Sequence, residues 1–362
     1  MKLLHTADWH LGKTLKGQSL LDDQVFILEQ IFDIIDEQKP DAILICGDIY
    51  DRAVPPADAV ELFDETLTKL AEKKLPTLII AGNHDSATRL NFGSKIFERQ
   101  NIFIASKDLE TPETVILEDN FGEVYFTMIP YFDFGDIQAK LSSAQQKIPS
   151  GKRSVAIAHV FLTGGVESEE SERKFVGGAS NIDAKVFKGF DYVALGHLHR
   201  PQKISAENIR YAGSPLKYSF DEANHKKSVT IVKLDAKNFV RAEKIDLKPR
   251  RDVIVVEEKF NELKNRPTCN DYVQIILSDD AYIYETENLR DAFPNFLEVK
   301  RKSHLKSYDD EPARIFRSED PVSEQFANFF EEVTSFPLND DEKSAFKKFL
   351  LEIEREEREV MN

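Results

Sequence analysis

Ala42-Ile43-Leu44-Ile45-Cys46-Gly47-Asp48-Ile49-Tyr50-Asp51-Arg52 decides the reading of this chain. Ala42–Cys46 is apolar throughout, so it reads as a strand buried on both faces, the kind found in parallel sheets covered by helices. Gly47 then permits a sharp turn out of the strand. Two carboxylates follow, Asp48 and Asp51. In sheets with parallel strands, ligands bind at the C-terminal edge, where these residues would sit.

The same arrangement recurs on both sides of this stretch. Leu3–Ala7 is followed by Asp8 and His10, and Leu78–Ala81 by Gly82, Asn83, His84 and Asp85. Val155–Ala158 is followed by His159, and Tyr192–Leu195 by Gly196, His197 and His199. Five of the eight histidines therefore stand at strand ends, which chance placement would not produce. Asp8-x-His10 and His197-x-His199 are i, i+2 pairs that can turn two side chains toward one centre. Carboxylates, imidazoles and one Asn carbonyl suit Mn²⁺, Fe²⁺ or Zn²⁺ rather than a thiolate zinc site.

Between these strands, Leu20–Gln38 and Ala57–Lys73 repeat apolar residues at helical spacing. Further strands are expected at Val124–Ile129, Ile209–Ala212 and Val229–Leu234. Short connections imply that part of the sheet structure is antiparallel. The expected fold class is α/β, a two-sheet sandwich flanked by helices. Composition shifts at Lys248-Pro249-Arg250-Arg251. Residues 1–248 are read as one domain and 249–308 as a small α+β cap. Residues 309–362 are read as acidic C-terminal helices.

The chain has 362 residues and a formal charge of −16. That balance points away from a stand-alone nucleic-acid binder. The charge is uneven: 7 basic against 16 acidic residues in 309–362 give −9, and 31 against 37 in 1–248 give −6. No apolar run approaches the roughly 20 residues of a membrane helix. With no signal-peptide pattern and only Cys46 and Cys269, a cytoplasmic location is expected.

Asp8-x-His10, Gly47-Asp48-x-x-Asp51-Arg52, Gly82-Asn83-His84-Asp85, His159 and Gly196-His197-x-His199 together resemble the motifs of the calcineurin-like metallophosphoesterases. Leu4–Gly12, Ile209–Leu216, Ser219–Glu222 and Lys226–Val229 resemble that family's bacterial DNA-nuclease branch. The resemblance implies two divalent metal ions, most simply Mn²⁺. Asp8, His10, Asp48 and His199 would hold one, and Asp48, Asn83, His159 and His197 the other. His84 would stabilise the phosphorus centre and protonate the leaving oxygen, with the Asp51 carboxylate as its expected partner.

The resemblance further implies an ATP-stimulated 3′→5′ exonuclease on duplex ends and an endonuclease on single strands and hairpins, active in DNA repair and recombination. It also implies a homodimer bound to a coiled-coil ATPase and a nucleoid-associated location. A small-substrate phosphodiesterase and a non-catalytic scaffold remain open as alternatives. Lys226, Lys227, Arg250 and Arg251 are candidate DNA contacts. Leu62, Leu90 and Phe97 are candidate dimer contacts, against ordinary packing on the sheet. Phe326, Phe329, Phe330, Phe346 and Phe349 are candidates for docking on the ATPase, against folding back on the cap. His5 is expected in the core. Trp9 is expected under the metal site or on DNA.

Overall fold

The computed structural model describes residues 1–132, 136–168, 182–236, 240–279 and 288–302. In the C-terminal part it describes 323, 326–327, 330, 338–339, 342–344 and 346–349. The elements begin with β1 (Lys2–Thr6), β2 (Thr14–Leu15), β3 (Gln18–Ser19), α1 (Leu21–Gln38), β4 (Ala42–Cys46), α2 (Ala57–Glu72) and β5 (Thr77–Ile80). Next come α3 (Ala87–Leu90), α4 (Ser94–Phe97), β6 (Ile102–Ala105), β7 (Glu113–Asp119), β8 (Gly122–Ile129), α5 (Ile137–Gln145) and β9 (Arg153–His159). They continue with β10 (Tyr192–Gly196), β11 (Gln202–Lys203), β12 (Ile209–Tyr211), β13 (Ser228–Leu234) and β14 (Val240–Asp246). The last are β15 (Val253–Glu258), α6 (Phe260–Lys264), β16 (Tyr272–Leu277) and β17 (Phe296–Arg301).

Two six-stranded sheets form the sandwich. The first runs β14-β13-β1-β4-β5-β6, parallel from β1 to β6 and antiparallel at β13 and β14. The second runs β11-β12-β10-β9-β8-β7, parallel from β12 to β8 and antiparallel at both edges. One apolar cluster joins them, with Leu3, Leu44 and Leu78 from the first sheet and Phe126, Ile157 and Tyr192 from the second. Residues of opposite parity, such as Ala156 and Ala158, pack instead with Leu141 of α5 and with Phe187, as the period of two requires.

Leu28, Ile31 and Ile35 of α1 and Leu70 of α2 line a narrow gap over Ile43 and Ile45 of β4. That cover explains why β4 carries no polar face. The buried stripe of α1 is Ile27, Leu28, Ile31, Ile34 and Ile35, while Val25 is exposed. The helix ends where Lys39 turns left-handed at φ 48° just before Pro40. His5 is buried between the sheets, its ring nitrogens 3.0 Å from the Tyr192 hydroxyl and 3.1 Å from the Leu195 carbonyl.

The chain divides into two compact units, Met1–Val255 with Asn270–Val273, and Val256–Cys269 with Gln274–Asn362. The strands β15, β16 and β17 pair in that order. α6 buries Phe260 and Leu263. Most of the expected C-terminal helices lies outside the described residues.

Candidate metal centre

The parallel strands of both sheets deliver their C-terminal ends to one place. The loop after β1 is tied to the loop after β4: the Asp8 N–H donates to the Gly47 carbonyl and the His10 N–H to the Asp48 carbonyl, both at 3.0 Å. From the second sheet, His159 Nδ1 bonds the Cys46 carbonyl at 2.8 Å. The His197 N–H donates to Asp8 Oδ1 at 2.8 Å, and the His84 N–H to Asp48 Oδ1 at 2.9 Å.

The side chains then converge. Asp48 Oδ2 lies 3.5 Å from His10 Nε2 and 3.4 Å from His159 Nε2. Asn83 Oδ1 lies 2.9 Å from His159 Nε2 and 3.0 Å from His197 Nδ1. His199 Nε2 lies 3.1 Å from His10 Nε2. Asp8, His10, Asp48, Asn83, His159, His197 and His199 thus share one cluster.

The backbone is strained to achieve this. Asp8, His10, Asp48 and His197 all have positive φ, at 55°, 45°, 50° and 104°. Each such residue costs about 1–3 kcal/mol and persists only where its surroundings over-determine it. Close approach explains two glycines. A Cβ on Gly82 would overlap the Asp48 carboxylate, and one on Gly196 would overlap the Cys46 carbonyl.

The electrostatics fit cations. Burial pushes the Asp8 carboxyl up to about 7, and Asp8 Oδ2 is buried with no hydrogen-bond partner. Burial opposes charge on Asp48, but the His159 imidazole outweighs it and holds the carboxyl well below the usual range. Burial likewise opposes charge on His159, and Asp48 overcomes it, raising the imidazole to about 9. Burial draws His10 and His197 down to about 3, leaving lone pairs to donate. Two groups of donor atoms are close enough to hold an ion, His10–Asp48–His84 and Asp8–Asp48–His159, and Asp48 belongs to both. Nitrogen and oxygen donors with a shared carboxylate suit divalent ions of borderline to hard character.

One expected contact is different. His84 Nδ1 bonds the main-chain carbonyl of Asp51 at 2.7 Å, not its carboxylate. The carboxylate turns to Lys13 Nζ at 2.8 Å and toward His10 Nδ1 at 3.6 Å, because the lysine offers a full charge.

Several further residues support the cluster, among them Gln24, which no motif marks. Asp85 accepts from the backbone N–H groups of Gly82 at 2.8 Å, Ile49 at 3.1 Å and Tyr50 at 2.9 Å, clasping the two loops that flank Asp48. Burial raises its carboxyl to about 6. Gln24 donates to the His10 carbonyl at 2.7 Å and accepts from the Gly12 N–H at 2.9 Å. Trp9 is packed away, its indole N–H on Thr6 Oγ1 at 2.9 Å. Glu222 Oε1 lies 3.0 Å from His199 Nδ1, and Lys227 Nζ donates to Glu222 Oε2.

The more distant candidates divide. Lys226 and Arg250 are exposed, but Lys227 is buried on Glu222, so it is not an accessible DNA contact. Arg251 is half-buried, paired with Asp23 and lying over the Tyr272 ring. Leu62 and Leu90 are buried inside the chain, which removes them as dimer contacts, and Phe97 is half-buried. Exposed apolar side chains in this stretch of sequence are Val54, Val60, Phe92 and Ile96, with Phe92 85% exposed. Phe326 stacks on Phe346, with ring centroids 3.8 Å apart, and lies 6.1 Å from Phe330. Phe349 is exposed, and Phe329 lies outside the described residues. Among the described residues no helix is long and apolar enough to cross a membrane.

Known proteins are similar to this chain. The calcineurin-like phosphoesterase family matches residues 1–201. The SbcD nuclease of the SbcCD pair in Staphylococcus epidermidis, a curated protein, is 31% identical over 97% of this chain and 98% of its own. Its counterpart from Staphylococcus saprophyticus is also 31% identical, over the same shares. A solved archaeal phosphodiesterase overlaps 68% of this chain and 100% of its own at 12% identity and a TM-score of 0.31. Full-length similarity and the assembled motif loops agree: the chain belongs to the calcineurin-like phosphoesterase family and, within it, to the group of SbcD nucleases.

Proposed function

We propose that this chain is the nuclease component of an SbcCD-type complex and hydrolyses DNA phosphodiester bonds at the centre described above. The observation that carries the reading is the Asp48 carboxylate shared by two donor groups, one of them with His10 and His84 and the other with Asp8 and His159, and bonded at its Oδ1 by the His84 N–H. Two Mn²⁺ ions would be held by Asp8, His10, Asp48 and His199 and by Asp48, Asn83, His159 and His197. When bound, such ions stabilise the attacking and leaving oxygens and lower the pKa of a water.

The chain's own residues do the rest. With Nδ1–H on the Asp51 carbonyl, the Nε2 of His84 is the nitrogen left for the substrate. In the doubly protonated ring, Nε2–H supplies the proton that the leaving oxygen takes. Lys13 anchors the Asp51 loop that orients this ring.

The wider assignment rests on the motif resemblance alone: ATP-stimulated 3′→5′ exonuclease and hairpin endonuclease activity, in the cytoplasm, serving DNA repair and recombination. Residues 1–248 would be the nuclease domain, 249–308 a cap and 309–362 the segment that docks on an SbcC-type ATPase. The exposed Phe92 and Ile96 support a homodimer through this face. The test is Mn²⁺-dependent cleavage of an end-labelled hairpin, with and without the ATPase and ATP, beside His84→Ala. Cleavage lost in His84→Ala is expected. Turnover of bis-p-nitrophenyl phosphate with no cut in DNA would overturn the reading.

A further inference from the structure

Among the described site imidazoles, His199 alone has a carboxylate within hydrogen-bond distance of Nδ1. His84 and His159 meet backbone carbonyls through that nitrogen, His197 meets the Asn83 amide oxygen, and the Asp51 carboxylate lies 3.6 Å from His10 Nδ1, outside hydrogen-bond distance. Glu222 is fully buried. Its ionised carboxylate accepts only, so the Nδ1 of His199 carries the proton and Nε2 carries the lone pair. That lone pair is directed into the metal centre, where Nε2 meets His10.

Lys227 fixes the carboxylate. Its ammonium has three protons, and Glu222 Oε2, Ser214 Oγ at 2.7 Å and the His199 carbonyl at 2.8 Å accept from it. It therefore grips the carboxylate and the main chain of the same histidine. A buried ion pair is a poor source of stability, since apolar replacements of equal volume are often as stable. The fold alone gives no reason for this pair to be here.

We propose that Glu222, clamped by Lys227, is a positioning residue that distinguishes the two metal positions, making the one that uses His10 and His199 the tighter. A carboxylate behind a ligating imidazole fixes its tautomer and raises its basicity, and removing such a group typically lowers metal affinity about 10–100-fold. The carbonyl-backed His159 provides no such anion. This rests on the metal centre of the proposed function, not on the identity of the substrate.

The experiment is calorimetric titration of Mn²⁺ into the metal-free full chain, with Glu222→Ala and Glu222→Gln, and with metal-free melting as a control on folding. In Glu222→Ala the tighter binding step should weaken about 10–100-fold while the weaker stays within about twofold; loss confined to the weaker step would overturn the proposal. Glu222→Gln keeps the acceptor oxygen and the shape and should fall between, so it carries the test if the alanine variant unfolds. The spin-coupled Mn²⁺-pair signal at stoichiometric metal should fall in Glu222→Ala and fall less in Glu222→Gln. Both steps unchanged, or both weakened alike, would overturn the proposal. A chain that binds two ions in this pattern but cuts no DNA would defeat the nuclease reading and leave this one standing.

Discussion

Asp85→Ala removes the clasp between the loops that carry Asp48 and Asn83. Its carboxylate accepts three backbone N–H groups, from Gly82, Ile49 and Tyr50, at 2.8–3.1 Å. Bonds to a charged acceptor are worth about 1.5–3 kcal/mol, and for a half-buried group the lower end applies, so three amount to about 4.5 kcal/mol. In a folded unit of this size, about 2–4 °C of melting temperature corresponds to each kcal/mol. A fall of roughly 10 °C is expected for the metal-free protein, read by circular dichroism. Asp85→Asn should fall between, because one oxygen still accepts while the amide nitrogen faces a donor. The same variants should lose metal affinity, since the clasped loops flank the shared carboxylate. A melting temperature for Asp85→Ala within about 2 °C of the unchanged chain would refute the reasoning.

Further outcomes follow from the same geometry. Asp48→Asn should abolish both Mn²⁺-binding steps in calorimetry, whereas Asn83→Ala should weaken one of them. Metal affinity should rise with pH: His159, raised to about 9, must lose a proton to bind below that value, and Asp8, raised to about 7, must lose another below pH 7. The affinity should therefore climb steeply from pH 6 to pH 8, and a flat profile would contradict the charge assignments. Phe92→Glu combined with Ile96→Glu should convert a dimer to monomer in light scattering without lowering the melting temperature, because both side chains are already exposed.

The sequence reveals some of this because certain residues have only one structural use. Ala42–Cys46 cannot face water on either side, and the structure buries all of it. The ligands are legible because glycines and ionisable residues follow apolar runs at five strand ends. What stays hidden depends on orientation. Spacing places Asp51 near His84 but cannot say whether its carboxylate or its carbonyl faces the ring. Lys226-Lys227 reads as a surface pair, yet alternation at the entry to β13 sends one lysine out and the other in. The edge strand β7, Glu113–Asp119, has a mixed burial pattern and only the three apolar residues Val115–Leu117 to announce it. Leu62 lies on an apolar helix stripe that fits a sheet or a second copy equally well, and the structure buries it within the chain.

The origin of the ligands in two different sheets has a consequence for synthesis. Asp8, His10, Asp48 and Asn83 leave the ribosome with the first sheet's parallel strands, but His159, His197 and His199 arrive only with the second. The first sheet itself is completed later still, when β13 returns to pair with β1. A nascent chain therefore holds half a site that cannot enclose an ion. Loading would have to await closure of the sandwich, and ions held there would form a seam joining the two layers. Extracting them should speed the separation of the sheets, so that a chelator shortens the lifetime of the folded chain as well as silencing its chemistry.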